Sequence, residues 1–223
     1  AHLREALLEA IARRGFRTAL IVSHHDFRRT PSLRRLKSIY ERCVDAGAAI
    51  VKIVTTAVQP RDNLRILELV APLFVERNYI TEKEVADRRE YLLLVIRLLK
   101  ERCRLVPEIA EMGHFFFRDP ETYEEKGAAK HFSVVGAADR LDVIARRFEE
   151  LDSFSEQAAE DEVRILAGDL GISAAMLIHP IRLAVTGTTS GPGLFDLLVA
   201  VGRERVVARL HAAALYIREN MSA

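Results

Sequence analysis

Apolar residues Leu3, Leu7, Leu8 and Ile11 recur at helical spacing through residues 2–14, and Gly15 closes that helix. "TALIVS" (18–23) predicts a short strand. "TPSLRRLKSIYERCVDAG" predicts a helix over 32–46, opened by Thr30 or Ser32 and closed by Gly47. A second strand follows over 49–55, where Ile50, Val51, Ile53 and Val54 read as a run buried on both faces. Strand, helix and strand over about 35 residues have the length of a βαβ crossover, so 19–23 and 50–54 are expected side by side and parallel. From Asp62 onward the period is helical. The helices expected are 62–77, 82–103, 105–117, 121–131, 134–151, 155–170, 173–186, 192–201 and 203–219. Pro107, Asp119-Pro120, Asp152-Ser153, Gly171 and "TGTTSGPG" punctuate them. No internal repeat interrupts the series.

One residue breaks the apolar pattern. Lys52 stands in the middle of the second strand, where a cation is costly unless it is paired, neutral or used. A lysine in such a strand can reach solvent, or it can lose its proton and attack a carbonyl to form a Schiff base. His24 and His25 follow the first strand, at the end where parallel α/β folds collect their chemistry. An imidazole there can be an ordinary loop residue or can move protons for the lysine. His179, in the later helix 173–186, reads as a structural histidine.

Composition narrows the classes. The 223 residues are 49% hydrophobic and 29% charged, which suits a folded chain and excludes global disorder. No apolar run approaches the ~20 residues of a membrane span, and "AHLREALLEAIARRGF" has no signal-peptide core. Cys43 and Cys103 lack metal-ligand spacing, so free thiols in the cytoplasm are expected, with no metal and no cofactor. The net charge of +1 divides unevenly: residues 1–80 hold 14 Lys/Arg against 8 Asp/Glu, and residues 81–223 hold 19 against 24. The segment 105–170 alone has 16 acidic and 7 basic residues. That excess of acid disfavours long-range attraction of nucleic acid and leaves local patches such as Arg88, Arg89, Arg97, Lys100, Arg102 and Arg104 to serve.

"VSHHDFRRTPS" followed by "AGAAIVKIVTTAVQPRDNLRILEL" resembles type I 3-dehydroquinate dehydratase over roughly residues 15–70. The resemblance implies that Lys52 matches the Schiff-base lysine and His25 the acid/base histidine. His24 stands where the family has tyrosine. The family fold is a closed (β/α)8 barrel, of which this chain supplies two strands, so the pair is expected to be vestigial. Without barrel walls nothing desolvates the lysine or orients a ketone.

"HPIRLAVTGTTSGPGLF", "LLVAVGRERVVARL" and "RREYLLLVIRLLKERCRLVPEIAEMGHFFFRDPETYEEK" resemble the C-terminal anticodon-binding region of bacterial glutamyl-tRNA synthetase over roughly 70–215. This resemblance implies that Arg102 matches an arginine reading an anticodon base. It also implies that Gly191 and Pro192 match the loop pair at the first anticodon base, the glycine departing from a polar residue found in some members. No His-Ile-Gly-His-like or Lys-Met-Ser-Lys-Ser-like motif is present, so aminoacylation is not expected of this chain.

The two patterns meet inside "RDNLRILELVAPLFVERN", as in a chimera, natural or constructed. The expected fold is mainly α: a βαβ, partial (β/α)-barrel segment over 1–69, then an all-helical anticodon-binding-like bundle over 70–223. The leading functional expectation is a tRNA-binding module without catalysis. A vestigial dehydratase fragment and a scaffold without evolved function are the alternatives. The incomplete sheet also predicts either helices over its edges or a homodimer.

Overall fold

The computed structural model describes residues 20–56, 58, 60–103 and 106–221. The helix expected over 2–14 lies outside the described residues. The chain divides into two compact units after Arg65. Among the described residues it forms two parallel strands and eleven α-helices, so it is mainly α with a βαβ segment ahead of a helical array.

In the first unit β1 (Ile21–Asp26), α1 (Leu33–Asp45) and β2 (Ile50–Thr55) form the expected crossover. Ile21 pairs with Ile50, Ser23 with Lys52 and His25 with Val54. Ser32 caps α1 by accepting from Arg35 N at 3.4 Å, and Gly47, at φ 78°, takes the left-handed turn that ends it. Leu36, Ile39 and Cys43 form the buried stripe of α1.

Two expectations change here. β1 runs on to Asp26, which places His24 and His25 inside the strand. It ends there because Asp26 Oδ1 accepts the next free amides, Arg28 N at 3.1 Å and Arg29 N at 3.2 Å. Nor is β2 buried on both faces. Exposure alternates along β1 and over Ile50–Lys52 of β2, with Ile21 and Ile50 57% and 47% exposed, and among the described residues α1 packs against both strands.

The second unit begins within α2 (Pro60–Glu76). Where one helix was expected over 82–103, α3 (Glu82–Asp87) and α4 (Arg89–Leu99) are separated at Arg88, whose φ and ψ of −107° and 22° leave the helix. A reciprocal cap between Thr81 and Glu84 starts α3. Arg88 lies over the rings of Tyr91 and Phe117, at 4.8 and 5.9 Å, contacts that periodicity does not encode. α5 (Val106–Met112) likewise stops early at Gly113. A side chain there would bring its Cβ within 2.7 Å of Ile109 O, and a 3-10 turn over His114–Phe116 follows.

The remaining helices are α6 (Glu125–His131), α7 (Ala137–Glu150), α8 (Glu156–Asp169), α9 (Ala175–Thr186), α10 (Leu194–Val201) and α11 (Arg203–Asn220). The most extensive pairing is α7 with α11. Leu141, Ile144, Ala145 and Phe148 meet a face that includes Val206, Leu210, Ala213, Ala214 and Ile217, and the alanines allow a close approach. α9 is buried on most sides through Leu177, Ile181, Leu183, Ala184 and Val185, as an almost wholly apolar helix must be.

Among the described residues one cation is buried in the core. Arg209, 3% exposed, donates to Val185 O (2.6 Å), Phe115 O (2.8 Å), Arg118 O (2.9 Å) and the Asp119 carboxylate (2.8 Å from Nε). Its planar fork thus satisfies one carbonyl near the end of α9 and two in the 3-10 turn and its exit.

Candidate nucleic-acid interface

The segments that hold Arg102, Gly191 and Pro192 come together in the second unit because α4 packs against α10. Arg102 stands exposed in the turn after α4, its amide bonded to Leu99 O at 2.9 Å. Gly191 and Pro192 lie just ahead of α10 and are buried, whereas the neighbouring Ser190 and Gly193 are exposed.

Arg182, on α9, joins these parts. Its Nη1 donates to Pro192 O at 2.8 Å and lies 3.3 Å from where a Cβ on residue 191 would sit. Burial, and then the positive charge of Arg102, hold its pKa below the ordinary arginine value. Neither Arg102 nor Arg182 is paired with a carboxylate among the described residues. Two guanidiniums, one half-buried and one exposed, therefore share a positive field beside a tight loop.

That loop is held from within. Gly187 ends α9 at φ 76°, and a Cβ there would come within 2.9 Å of Thr122 O. The buried Thr186 hydroxyl lies 2.8 Å from Arg182 O and accepts Thr188 N at 3.1 Å. The Glu124 carboxylate accepts both the hydroxyl and the amide of Thr189, at 2.7 and 2.8 Å. Those two bonds keep the Glu124 carboxyl below its usual pKa. A loop braced in this way is already shaped, so little ordering entropy would be lost were a ligand to meet it.

Sequence reasoning passed over Arg182. Its signal is the one that singled out Lys52, a lone cation inside an apolar helix, "LIHPIRLAV". It also took His179 as structural. His179 is exposed, and its ring stacks on His131 with centroids 4.9 Å apart and planes 17° apart. Burial, His179 and Lys130 lower the pKa of His131.

In the first unit, His25 and Lys52 share the exposed face of the sheet as diagonal neighbours across β1 and β2. No hydrogen bond or ion pair joins them. His25 instead makes an edge contact with Phe27, centroids 5.4 Å apart. No group of three or more His, Cys, Asp or Glu able to hold a metal occurs among the described residues.

Comparison with known proteins follows the same division. The anticodon binding domain model matches residues 65–214, and the type I 3-dehydroquinase model matches residues 2–79. The glutamate–tRNA ligase of Moorella thermoacetica is 41% identical over 158 residues, covering 71% of this chain and 32% of the relative. Glutamate–tRNA ligase 1 of Caldanaerobacter subterraneus is 39% identical over 132 residues, covering 59% of this chain and 27% of the relative. The crystal structure of a glutamate tRNA ligase from Elizabethkingia meningosepticum, in complex with its amino acid, superposes with a TM-score of 0.61 at 27% identity. It covers 72% of this chain and 30% of the ligase. The chain spans about a third of the length of the curated relatives it matches. Through residues 65–214, the larger part of its length, the chain belongs to the anticodon binding domain family.

Proposed function

We propose that the helical unit binds the anticodon of tRNA, with glutamate tRNA as partner, and that these 223 residues do not aminoacylate it. The observation that carries this reading is the pair Arg102 and Arg182, two guanidiniums without carboxylate partners among the described residues, beside the braced loop 186–193. Arg102 presents a fork that can meet an unstacked base edge. Arg182 braces the loop through Pro192 O, so the loop's exposed members, Ser190 and Gly193, are its contact points. Gly191 and Pro192 act from beneath, by letting the loop lie close to Arg182. The choice of tRNA rests on the relatives, which are named glutamate–tRNA ligases. The absence of aminoacylation rests on the missing nucleotide-binding motifs.

Filter binding of glutamate tRNA at two salt concentrations tests this. Affinity is expected to fall steeply with salt, since local phosphate contacts must work against an acidic surround. Arg102→Ala, at an exposed site, is expected to weaken binding about tenfold and to narrow the preference over an unrelated tRNA, as loss of one base-reading arginine does. Equal affinity for unrelated tRNAs, or an unaltered Arg102→Ala variant, rejects the reading.

A further inference from the structure

The first unit contains a cavity of about 490 Å³ between the loop after β1 and the loop after β2. Among the described residues four arginines line it, Arg28, Arg29, Arg35 and Arg65, against one carboxylate, Asp62. Neither His25 nor Lys52 takes part, so this is not the pair inherited with the dehydroquinase-like pattern.

The charges in the cavity do not balance. Asp62, 4% exposed, is committed to the wall, accepting Val58 N at 2.9 Å and Arg65 Nη1 at 2.7 Å. Arg65 also donates to Thr30 O. Arg29 leans outward to Asp26, at 3.7 Å. Arg28 and Arg35 are left exposed, with no ion pair among the described residues. The first turn of α1, which carries Arg35, has no acidic side chain either. Two unneutralised guanidiniums at one opening repel each other, and a dianion between them removes that repulsion.

We propose that this cavity binds a phosphate monoester or diphosphate group. A phosphate monoester carries about −1.5 to −2 at neutral pH and a diphosphate about one charge more, enough to answer the two uncompensated arginines, and guanidinium forks grip phosphate oxygens in pairs. The volume lies within the range of small-ligand sites, about 300–1,000 Å³. Thr30 and Ser32 line the same cavity, the Thr30 hydroxyl bonded to Thr55 and to Thr56 O and the Ser32 hydroxyl capping α1, so the wall between the arginines is held in place. The group comes either from a small phosphorylated molecule or from the 5′-phosphate of an RNA. The inference does not depend on anticodon binding by the helical unit.

Calorimetric titration of the whole chain with pyrophosphate at low salt tests it. One-site, submillimolar binding is expected, weakened at least tenfold or so in Arg28→Gln/Arg35→Gln as two charge-assisted contacts are lost. Both positions are exposed and unpaired, and circular dichroism checks that the fold is kept; Arg35→Gln alone is the fallback, with a smaller loss of the same sign. Arg34→Gln/Lys37→Gln removes the same charge from α1 outside the cavity and is expected to leave binding intact. Displacement by a 5′-phosphorylated RNA oligonucleotide, but not by its 5′-hydroxyl form, assigns the phosphate to an RNA end. Failure of both to displace assigns it to a small molecule. The proposal is overturned by no saturation up to ~10 mM, by equal losses in the two double variants, by equal binding of a tricarboxylate, or by equal displacement with either RNA.

Discussion

Arg209 shows how much one side chain can hold. Its amphipathic helix offers a cation to the core, and the core answers with three carbonyls and Asp119. Arg209→Met removes the donors and leaves those carbonyls dry, a loss on the order of 3–5 kcal/mol, read by urea unfolding. Arg209→Lys recovers only part, because an ammonium cannot reproduce the fork. Asp119 reports the same network through pH. Partial desolvation would raise its pKa, but hydrogen bonds and charges from Arg209 and Arg205 outweigh this and hold it low. The contribution is therefore full above the unfolded carboxyl value near 4 and is lost as pH falls through the depressed folded value. Asp119→Asn is expected to flatten part of the acid-side loss of stability. Asp142, held low by His211 and Arg218 against partial desolvation, and Glu124, held low by Thr189, contribute to what remains. An unchanged acid limb in Asp119→Asn would contradict this account.

Among the elements, the two-strand sheet resolves the anomaly of Lys52. The run around it looks wholly buried, but the lysine occupies the exposed face opposite Ser23, and α1 is the helix described against the sheet. A flexible stem there carries the ammonium into water at little cost. We propose that Lys52 and His25 are inherited and idle. Borohydride trapping with 3-dehydroquinate is expected to leave Lys52 unlabelled by mass spectrometry, and Lys52→Met is expected to be as stable as the parent. Substrate-dependent labelling lost in Lys52→Ala would instead establish an imine-forming site. Strand order and crossover were legible here because they depend on local periodicity and turn residues. The end of β1 was not, because Asp26 and its side-chain acceptor decide it.

Across the whole molecule, the two units differ in what they bury. From Leu67 to Ile217 a continuous apolar cluster runs through the helices, whereas the buried apolar residues described before Arg65 are Leu36, Ile39 and Cys43. A described part of two strands and one helix with so small a core has little to hold it shut. Hydrogen exchange is therefore expected to be fast in β1 and β2 and slowest in α7 and α11, where opening approaches global unfolding. Equal protection in the sheet and in α7 would show that the first unit draws stability from contacts beyond this small core.

By itself, the sequence determined the class, the order of elements and the two lineages. Period 2 and period 3.6, Gly at helix ends and Ser or Thr at helix starts act over a few residues and can be read in line. Arg102, Gly191 and Pro192 came forward through the resemblance to the anticodon-binding region. Tertiary structure alone decided the break at Arg88, which depends on rings from Tyr91 and Phe117. It also decided the burial of Gly191 and Pro192 and the part played by Arg182, whose charge meets Arg102 and whose guanidinium reaches ten residues ahead to Pro192. Hydrogen-bond partners and electric fields depend on distance in space, and chain order does not carry them.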